Sequence, residues 1–232
     1  MAAQHDITES TIKLTASDGF RLDAFRATPR QGSRGGLVIL QEIFGLTDQM
    51  KGVVRSYARD GYDTIFPCFY DRIAPGSVVA FDQADRGREL AAGLVQDKVI
   101  LDLDAAVRAV KGPHGVSVIG FCWGGGVIVP AAAQLDLRGA VAFYGTRLKT
   151  FLDQKVKCPL LFHFGAKDQH SPPDVIEAVG KAFPSSERYT YDAGHAFAND
   201  ARSSYVPAAA ETARARTLAF LSKQHQAAAA AE

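Results

Sequence analysis

The sequence predicts an α/β fold with a mostly parallel central sheet and helices on both faces, and two observations carry the prediction. Short apolar runs without polar alternation recur along the chain, Leu37-Val38-Ile39-Leu40 and Val116 to Phe121 among them. Between such runs lie stretches with helical spacing, the first from Asp48 to Arg59. Strands that are apolar on both faces and separated by helices are the signature of βαβ units.

The N-terminal segment differs, because Thr11-Ile12-Lys13-Leu14-Thr15 and Leu22-Asp23-Ala24-Phe25-Arg26 alternate around Ser17-Asp18-Gly19. A period of two with a turn signal reads as two strands, each with one buried face. Strand 37–40, helix 48–59 and strand Asp63–Pro67 follow. The Ala-, Leu-, Asp- and Arg-rich stretch from Phe81 to Lys111 reads as helix in two pieces. Next come strand Val116–Phe121, helix Trp123–Ala133, strand Ala140–Tyr144 and strand Leu160–Phe164. A helix over Pro173–Phe183, strand Arg188–Tyr191 and a last helix over Pro207–Ser222 complete the pattern. The alanine-rich residues 226–232 are expected to fray. No repeat and no linker divides the chain, so one domain over 1–232 is expected.

Composition excludes several classes of function. With 26 Lys+Arg against 25 Asp+Glu the net charge is +1, which offers no footprint for nucleic acid or an anionic membrane. The apolar runs fall far short of the ~20 residues that span a bilayer. The start, MAAQHDITES, is polar and has no signal-peptide core, so a cytoplasmic location is expected. Three cysteines, Cys68, Cys122 and Cys158, make no CxxC and no metal-ligand spacing. No dinucleotide or phosphate-loop motif is present. The expectation is therefore a monomer that needs no metal or cofactor and whose partner is a small molecule.

Chemistry concentrates in Val118-Ile119-Gly120-Phe121-Cys122-Trp123-Gly124-Gly125-Gly126-Val127. A strand runs into G-x-C-x-G-G and a helix follows, which is a nucleophile elbow with cysteine in the place of serine. The residue at the tip of so sharp a turn has strained dihedrals, and Gly120 and Gly124 let strand and helix approach without Cβ clashes. The helix N-terminus beside the sulfur favours thiolate. A structural cysteine in a Gly-rich turn is the plainer alternative, but that pattern arises by chance only about 0.002 times in a chain of this composition.

A nucleophile needs an acid and a histidine, and on an elbow they follow in that order. Asp168 stands just past strand Leu160–Phe164, and His195 stands in the loop after strand Arg188–Tyr191, preceded by Gly194. The assignment is Cys122 as nucleophile, His195 as base and acid, and Asp168 as the group that orients the imidazole. Of the other histidines, His163 lies within an apolar strand and reads as a core residue, and His170 is too close to Asp168 in sequence to face it across a site. The loop Gln41-Glu42-Ile43-Phe44-Gly45 follows a buried strand, where an oxyanion-hole N–H is expected from Ile43 beside that of Trp123. Glu42 would be costly there without a partner, and Arg72 is a candidate.

With these residues in view, the sequence resembles the dienelactone hydrolases, or carboxymethylenebutenolidases, of the α/β-hydrolase fold. The likeness is carried by QEIFG at 41–45, YDRIAPG at 70–76, GFCWGGG at 120–126, FYG at 143–145, AKD at 166–168 and AGHAF at 193–197. It implies hydrolysis of a small lactone or ester through an acyl-enzyme, by the triad Cys122, Asp168 and His195. It further implies that Glu42 alternates between the thiol of Cys122 and an arginine, here Arg72, taking the thiol proton when substrate binds. Arg72, Phe44, Tyr144 and Asn199 are the substrate-binding residues this resemblance suggests. Asn199 stands where the chlorocatechol-pathway enzymes carry an arginine that holds the substrate carboxylate. The competing readings are a broad carboxylesterase without dienelactone preference and a redox-sensing thiol protein.

Overall fold

A computed structural model describes residues 5–229, with eight strands and six α-helices among them. They fall into two compact units, the first ending at Ser117 and the second starting at Val118.

In the first unit β1 (Ile7–Thr15) and β2 (Arg21–Pro29) form an antiparallel hairpin, in register from Ile7 opposite Pro29 to Thr15 opposite Arg21. Its turn is closed by Gly19 at φ +82° and by the Asp18 carboxylate, which accepts the Phe20 N–H at 3.2 Å. Both strands exceed the alternating segments that announce them. Thr8, Glu9 and Ser10 are exposed, so apolar periodicity is silent where backbone pairing alone extends β1. β2 pairs antiparallel with β4 (Asp63–Pro67), and β4 runs parallel to β3 (Gly36–Leu40), giving the order β1-β2-β4-β3. Every residue of β3 and β4 is buried; β3 is apolar throughout, and in β4 the buried Asp63 accepts from Arg26.

Helix α1 (Asp48–Arg59) starts where Thr47 Oγ1 accepts the Met50 N–H at 3.2 Å, and it places Asp48 in its first turn and Arg59 in its last. Those charges oppose the helix dipole at both ends. Met50, Val54, Tyr57 and Ala58 make its buried stripe. The expected two-piece helix is α2 (Ala84–Gly93) and α3 (Gln96–Ala109), broken where Leu94 and Val95 turn extended at ψ 123°.

The second unit carries β5 (Val116–Phe121) from the unit boundary onward, then α4 (Trp123–Gln134), β6 (Gly139–Phe143), β7 (Leu160–Gly165), α5 (Pro173–Ala182) and β8 (Glu187–Tyr191). Their strand order is β5-β6-β7-β8, and the β6–β7 and β7–β8 pairs are parallel. Each residue of α4 from Trp123 to Ala132 is buried, so this helix has no polar face to show. Helix α6 (Pro207–Ala229) continues past the expected end at Ser222, because its alanines are the strongest helix formers. Residues 230–232 of the expected frayed tail lie outside the described residues, as does the start of the chain at 1–4. Among the described residues no helix is long and apolar enough to cross a membrane.

His163, the core histidine of β7, is fully buried and hydrogen-bonded at both ring nitrogens. Thr217 Oγ1 donates to the Ala213 carbonyl at 2.9 Å and so accepts from His163 Nε2 at 2.9 Å. Nδ1 is left to accept from the Tyr191 hydroxyl at 2.9 Å, whose oxygen accepts in turn from Arg216 at 3.2 Å. Burial, aided by the Arg216 charge, pushes the His163 pKa down to about 3, so the ring is neutral. Thr217→Val keeps the shape and strips the acceptor. We expect it to lower stability by about 1–3 kcal/mol, read from the urea midpoint. Arg86→Ala, at the exposed Arg86–Glu89 pair, is expected to change it by less than ~0.5 kcal/mol.

Candidate active site

β5 delivers Cys122 at φ 54°, ψ −112°, a conformation sparsely populated by any residue with a side chain. The backbone around it is pinned. The Cys122 N–H donates to the Phe143 carbonyl at 3.0 Å, and its carbonyl accepts from Gly126 at 3.3 Å and Thr146 at 3.0 Å. A Cβ on Gly120 would lie 2.1 Å from the Gly124 carbonyl oxygen, and one on Gly126 would lie 2.1 Å from that of Thr146. Only glycine fits at either place, and the sulfur therefore stands at the N-terminus of α4.

His195 Nε2 lies 3.1 Å from Cys122 Sγ, and its Nδ1 lies 2.8 Å from Asp168 Oδ2. The other Asp168 oxygen accepts the His170 backbone N–H at 2.8 Å. Asp168 is buried at the C-terminal end of β7, in a turn closed by its N–H to the Gly165 carbonyl and by the Ser171 N–H to its own carbonyl, both at 3.2 Å. The histidine loop is drawn to the acid loop because Lys167 N–H donates to the Ala193 carbonyl at 2.9 Å. Burial alone would lower the His195 pKa. The hydrogen bonds to Asp168 and Cys122 outweigh it and hold the value at about 10, so the imidazolium is the favoured form at neutral pH. Burial pushes the thiols of Cys68 and Cys158 up to about 12, which keeps them protonated.

Two supports of this arrangement were invisible in the sequence. Tyr144 is buried at φ 39°, its ring edge-on to His195 with centroids 5.2 Å apart. It packs against the imidazole. Ser171 Oγ donates to the Gly145 carbonyl at 3.0 Å, tying the acid loop to the loop after β6. Such a contact joins residues far apart in the chain and leaves no local signal. His170, set aside from sequence, packs its ring 4.6 Å from that of His195 and reaches Asp168 by its backbone.

The remaining expected residues are placed as follows. Glu42, 2% exposed, lies two residues past the end of β3 in the first unit. The Ile43 carbonyl accepts the Tyr70 hydroxyl at 2.8 Å. Phe44 is 1% exposed among Tyr70, Val79 and Leu90, with Phe81 edge-on at 4.9 Å. Its ring belongs to the core cluster of the first unit. Arg72 is paired within the first unit. Its Nε and Nη2 donate to both oxygens of the buried Asp102 at 2.7 Å, Asp18 takes Nη1 and Nη2, and the guanidinium stacks over Phe20 at 4.4 Å. Asn199, 1% exposed, uses Oδ1 to accept the Ala201 N–H at 3.1 Å. Its side chain closes a turn. Among the described residues no group of three His, Cys, Asp or Glu is placed to hold a metal ion.

Known proteins resemble the chain over most of its length. The profile of the dienelactone hydrolase family matches residues 22–225. A carboxymethylenebutenolidase of Pseudomonas putida is 34% identical over 224 residues, covering 90% of this chain and 94% of its own. That of Pseudomonas sp. (strain P51) is 31% identical over 226 residues, covering 91% and 94%. A crystal structure from Klebsiella pneumoniae, of a protein assigned as a dienelactone hydrolase, superposes with a TM-score of 0.83 at 29% identity, covering 93% of this chain and 98% of that one. The chain belongs to the dienelactone hydrolase family.

Proposed function

We propose that the protein hydrolyses small lactones and activated esters through an acyl-enzyme on Cys122. The observation that carries this reading is the unbroken series Cys122 Sγ, His195, Asp168, with spacings of 3.1 and 2.8 Å. In the proposed cycle the Cys122 thiolate attacks the carbonyl carbon and the carbonyl electrons move onto oxygen. That oxyanion is stabilised at the N-terminus of α4, where Trp123 presents the first backbone N–H. The tetrahedral adduct collapses with cleavage of the C–O bond, and the departing oxygen takes the proton from His195 Nε2. Water then attacks the thioester while His195 takes its proton, and the thiolate leaves with the product acid. Asp168 holds the tautomer and the charge throughout.

The resemblance adds two roles to this reading, a second oxyanion N–H from Ile43 and a proton-accepting carboxylate from Glu42. A reducing, cytoplasmic setting and a monomeric state belong to it as well, because a thiolate in an oxidising compartment is soon lost to oxidation. A broad carboxylesterase uses the same machinery and differs only in what the pocket prefers.

Cys122→Ala is expected to abolish turnover of cis- and trans-dienelactone and of p-nitrophenyl acetate. Cys68→Ala and Cys158→Ala are expected to stay within a few-fold of wild type. Full activity in purified Cys122→Ala protein would remove the nucleophile from the scheme. His195→Ala is expected to lower kcat by roughly 10³-fold or more, and His170→Ala far less.

A pH prediction follows from the His195 pairing. Its pKa rises from the ordinary 6.5 to about 10 on folding, so the folded state binds the extra proton between those values. The stabilisation is complete below pH 6.5 and is lost as pH rises through about 10. Wild type is expected to lose stability over that window more steeply than His195→Asn, by denaturant midpoints at each pH. Parallel profiles would show that the imidazolium is not held by the site.

A further inference from the structure

We infer that the first unit carries a binding site for a small neutral carboxamide, with Gln41 as the residue that recognises it. The site goes beyond the hydrolase reading above and does not depend on the triad.

Gln41 opens the QEIFG segment, and the proposed cycle gives it no task. It follows β3, every residue of which is buried, and its own exposure is 0%. A glutamine so placed ordinarily engages its amide with neighbours. Here neither Oε1 nor Nε2 has a hydrogen-bond partner among the described residues. An unpaired buried amide is destabilising, so folding alone would be served better by leucine or methionine.

Gln41 lines a cavity of about 210 Å³ that the first unit forms by itself, beyond the carboxyl ends of the adjacent parallel strands β3 and β4. In open α/β sheets that end of the strands is where ligands are held. Leu46, Cys68, Tyr70 and Val78 give the wall its apolar part. The walls are fixed by bonds of their own. Asp71 accepts the Asp23 N–H at 2.8 Å and the Gly76 N–H at 2.9 Å, and the Cys68 N–H donates to the Asp23 carbonyl at 2.8 Å. Gly45, at φ +74°, comes so close that a Cβ on it would lie 2.7 Å from the Ser77 carbonyl oxygen.

The charges around the cavity decide what it takes. Asp71 is engaged by those two N–H groups, Asp23 pairs with Lys13 at 2.7 Å, and Lys51 pairs with Asp48 at 3.1 Å. Each charged side chain of the wall thus has its partner, and the group still to be satisfied is the neutral amide. An amide presents donors and an acceptor side by side. A carboxylate would suit Nε2 and repel Oε1, and an ammonium would do the reverse. A carboxamide satisfies both at once through two antiparallel N–H···O bonds, with its apolar body against Leu46, Tyr70 and Val78. A mostly apolar pocket with a few placed polar groups is the usual form of a small-molecule site.

Benzamide, benzoate and acetophenone share a shape and differ in the edge they offer: donor with acceptor, charged acceptor, and acceptor alone. Isothermal titration calorimetry of the wild type is expected to show benzamide binding roughly 10-fold or more tighter than either analogue, as one lost hydrogen bond to a buried group implies. Gln41→Met keeps the length and drops both polar atoms, so it is expected to hold its Tm and weaken benzamide by about 10- to 100-fold. Cys68→Leu fills the cavity from the wall and leaves Gln41 in place, and it too is expected to weaken benzamide. Equal binding of the three probes, or a benzamide affinity unchanged in either variant, overturns the inference. Absence of benzamide binding to the wild type overturns it as well, since the cavity then takes only water. Turnover surviving in Cys122→Ala would overturn the nucleophile reading and leave this titration untouched, so the two failures are told apart.

Discussion

Cys122 cannot relax, and most of the second unit is arranged around that constraint. Its dihedrals cost of order 1–3 kcal/mol by comparison with similar strained positions, and the fold sustains them by closing the alternatives. The carbonyl of Phe143 takes its N–H while Gly126 and Thr146 share its carbonyl. A relaxed backbone here would break three bonds in a region where nearly every residue is buried, and buried polar groups left unpaired are costly. The clash distances at Gly120 and Gly126 give the same result in steric form. The strain thus lifts one sulfur out of a packed strand–helix junction and points it at an imidazole.

The electrostatics of this unit depend on two buried histidines treated in opposite ways. His163 has neutral partners on both nitrogens and an arginine near its hydroxyl neighbour, so burial wins and the ring stays uncharged. His195 has a carboxylate on one nitrogen and a sulfur on the other, and the same kind of burial loses. The difference lies in the partners, since both rings are largely removed from water. A neutral histidine ties β7 and β8 to α6, and a charged one bridges Asp168 and Cys122. Each role needs its own partner set, and exchanging them would leave an unpaired charge in the core.

Where function was readable in the sequence, it was because the chemistry leaves a local pattern. The elbow is contiguous, and glycines at fixed offsets from Cys122 are the direct imprint of a backbone approach. Asp168 and His195 each follow a recognisable strand, so chain order and strand ends were enough to select them. The strands and α1 were legible because burial on two faces or one stripe prints itself as periodicity. What stayed hidden depends on which side chains meet after folding. Arg72 sits in a segment that favours a role near Glu42, yet Asp18 and Asp102 reach it from far along the chain. Asn199 and Phe44 were read by motif position, which carries no information about burial. The length of α6 was missed because a polar, alanine-rich tail gives helix propensity but no apolar stripe.

Pairing decides which cations of such a site can act on a ligand. A guanidinium already bridged by two carboxylates must break good hydrogen bonds before it can greet a substrate, so its affinity for an anion is reduced by the strength of those bonds. The Asp102 carboxylate, fully buried, would then be left uncompensated, which is the expensive outcome for a buried pair. Arg72 ties Asp18 to Asp102 within the first unit. The opposite holds for a guanidinium stacked on aromatic rings. Stacking orients the plane through dispersion and cation–π attraction while leaving the N–H donors unspent. Arg147 lies over Trp123 and Phe151 in that way.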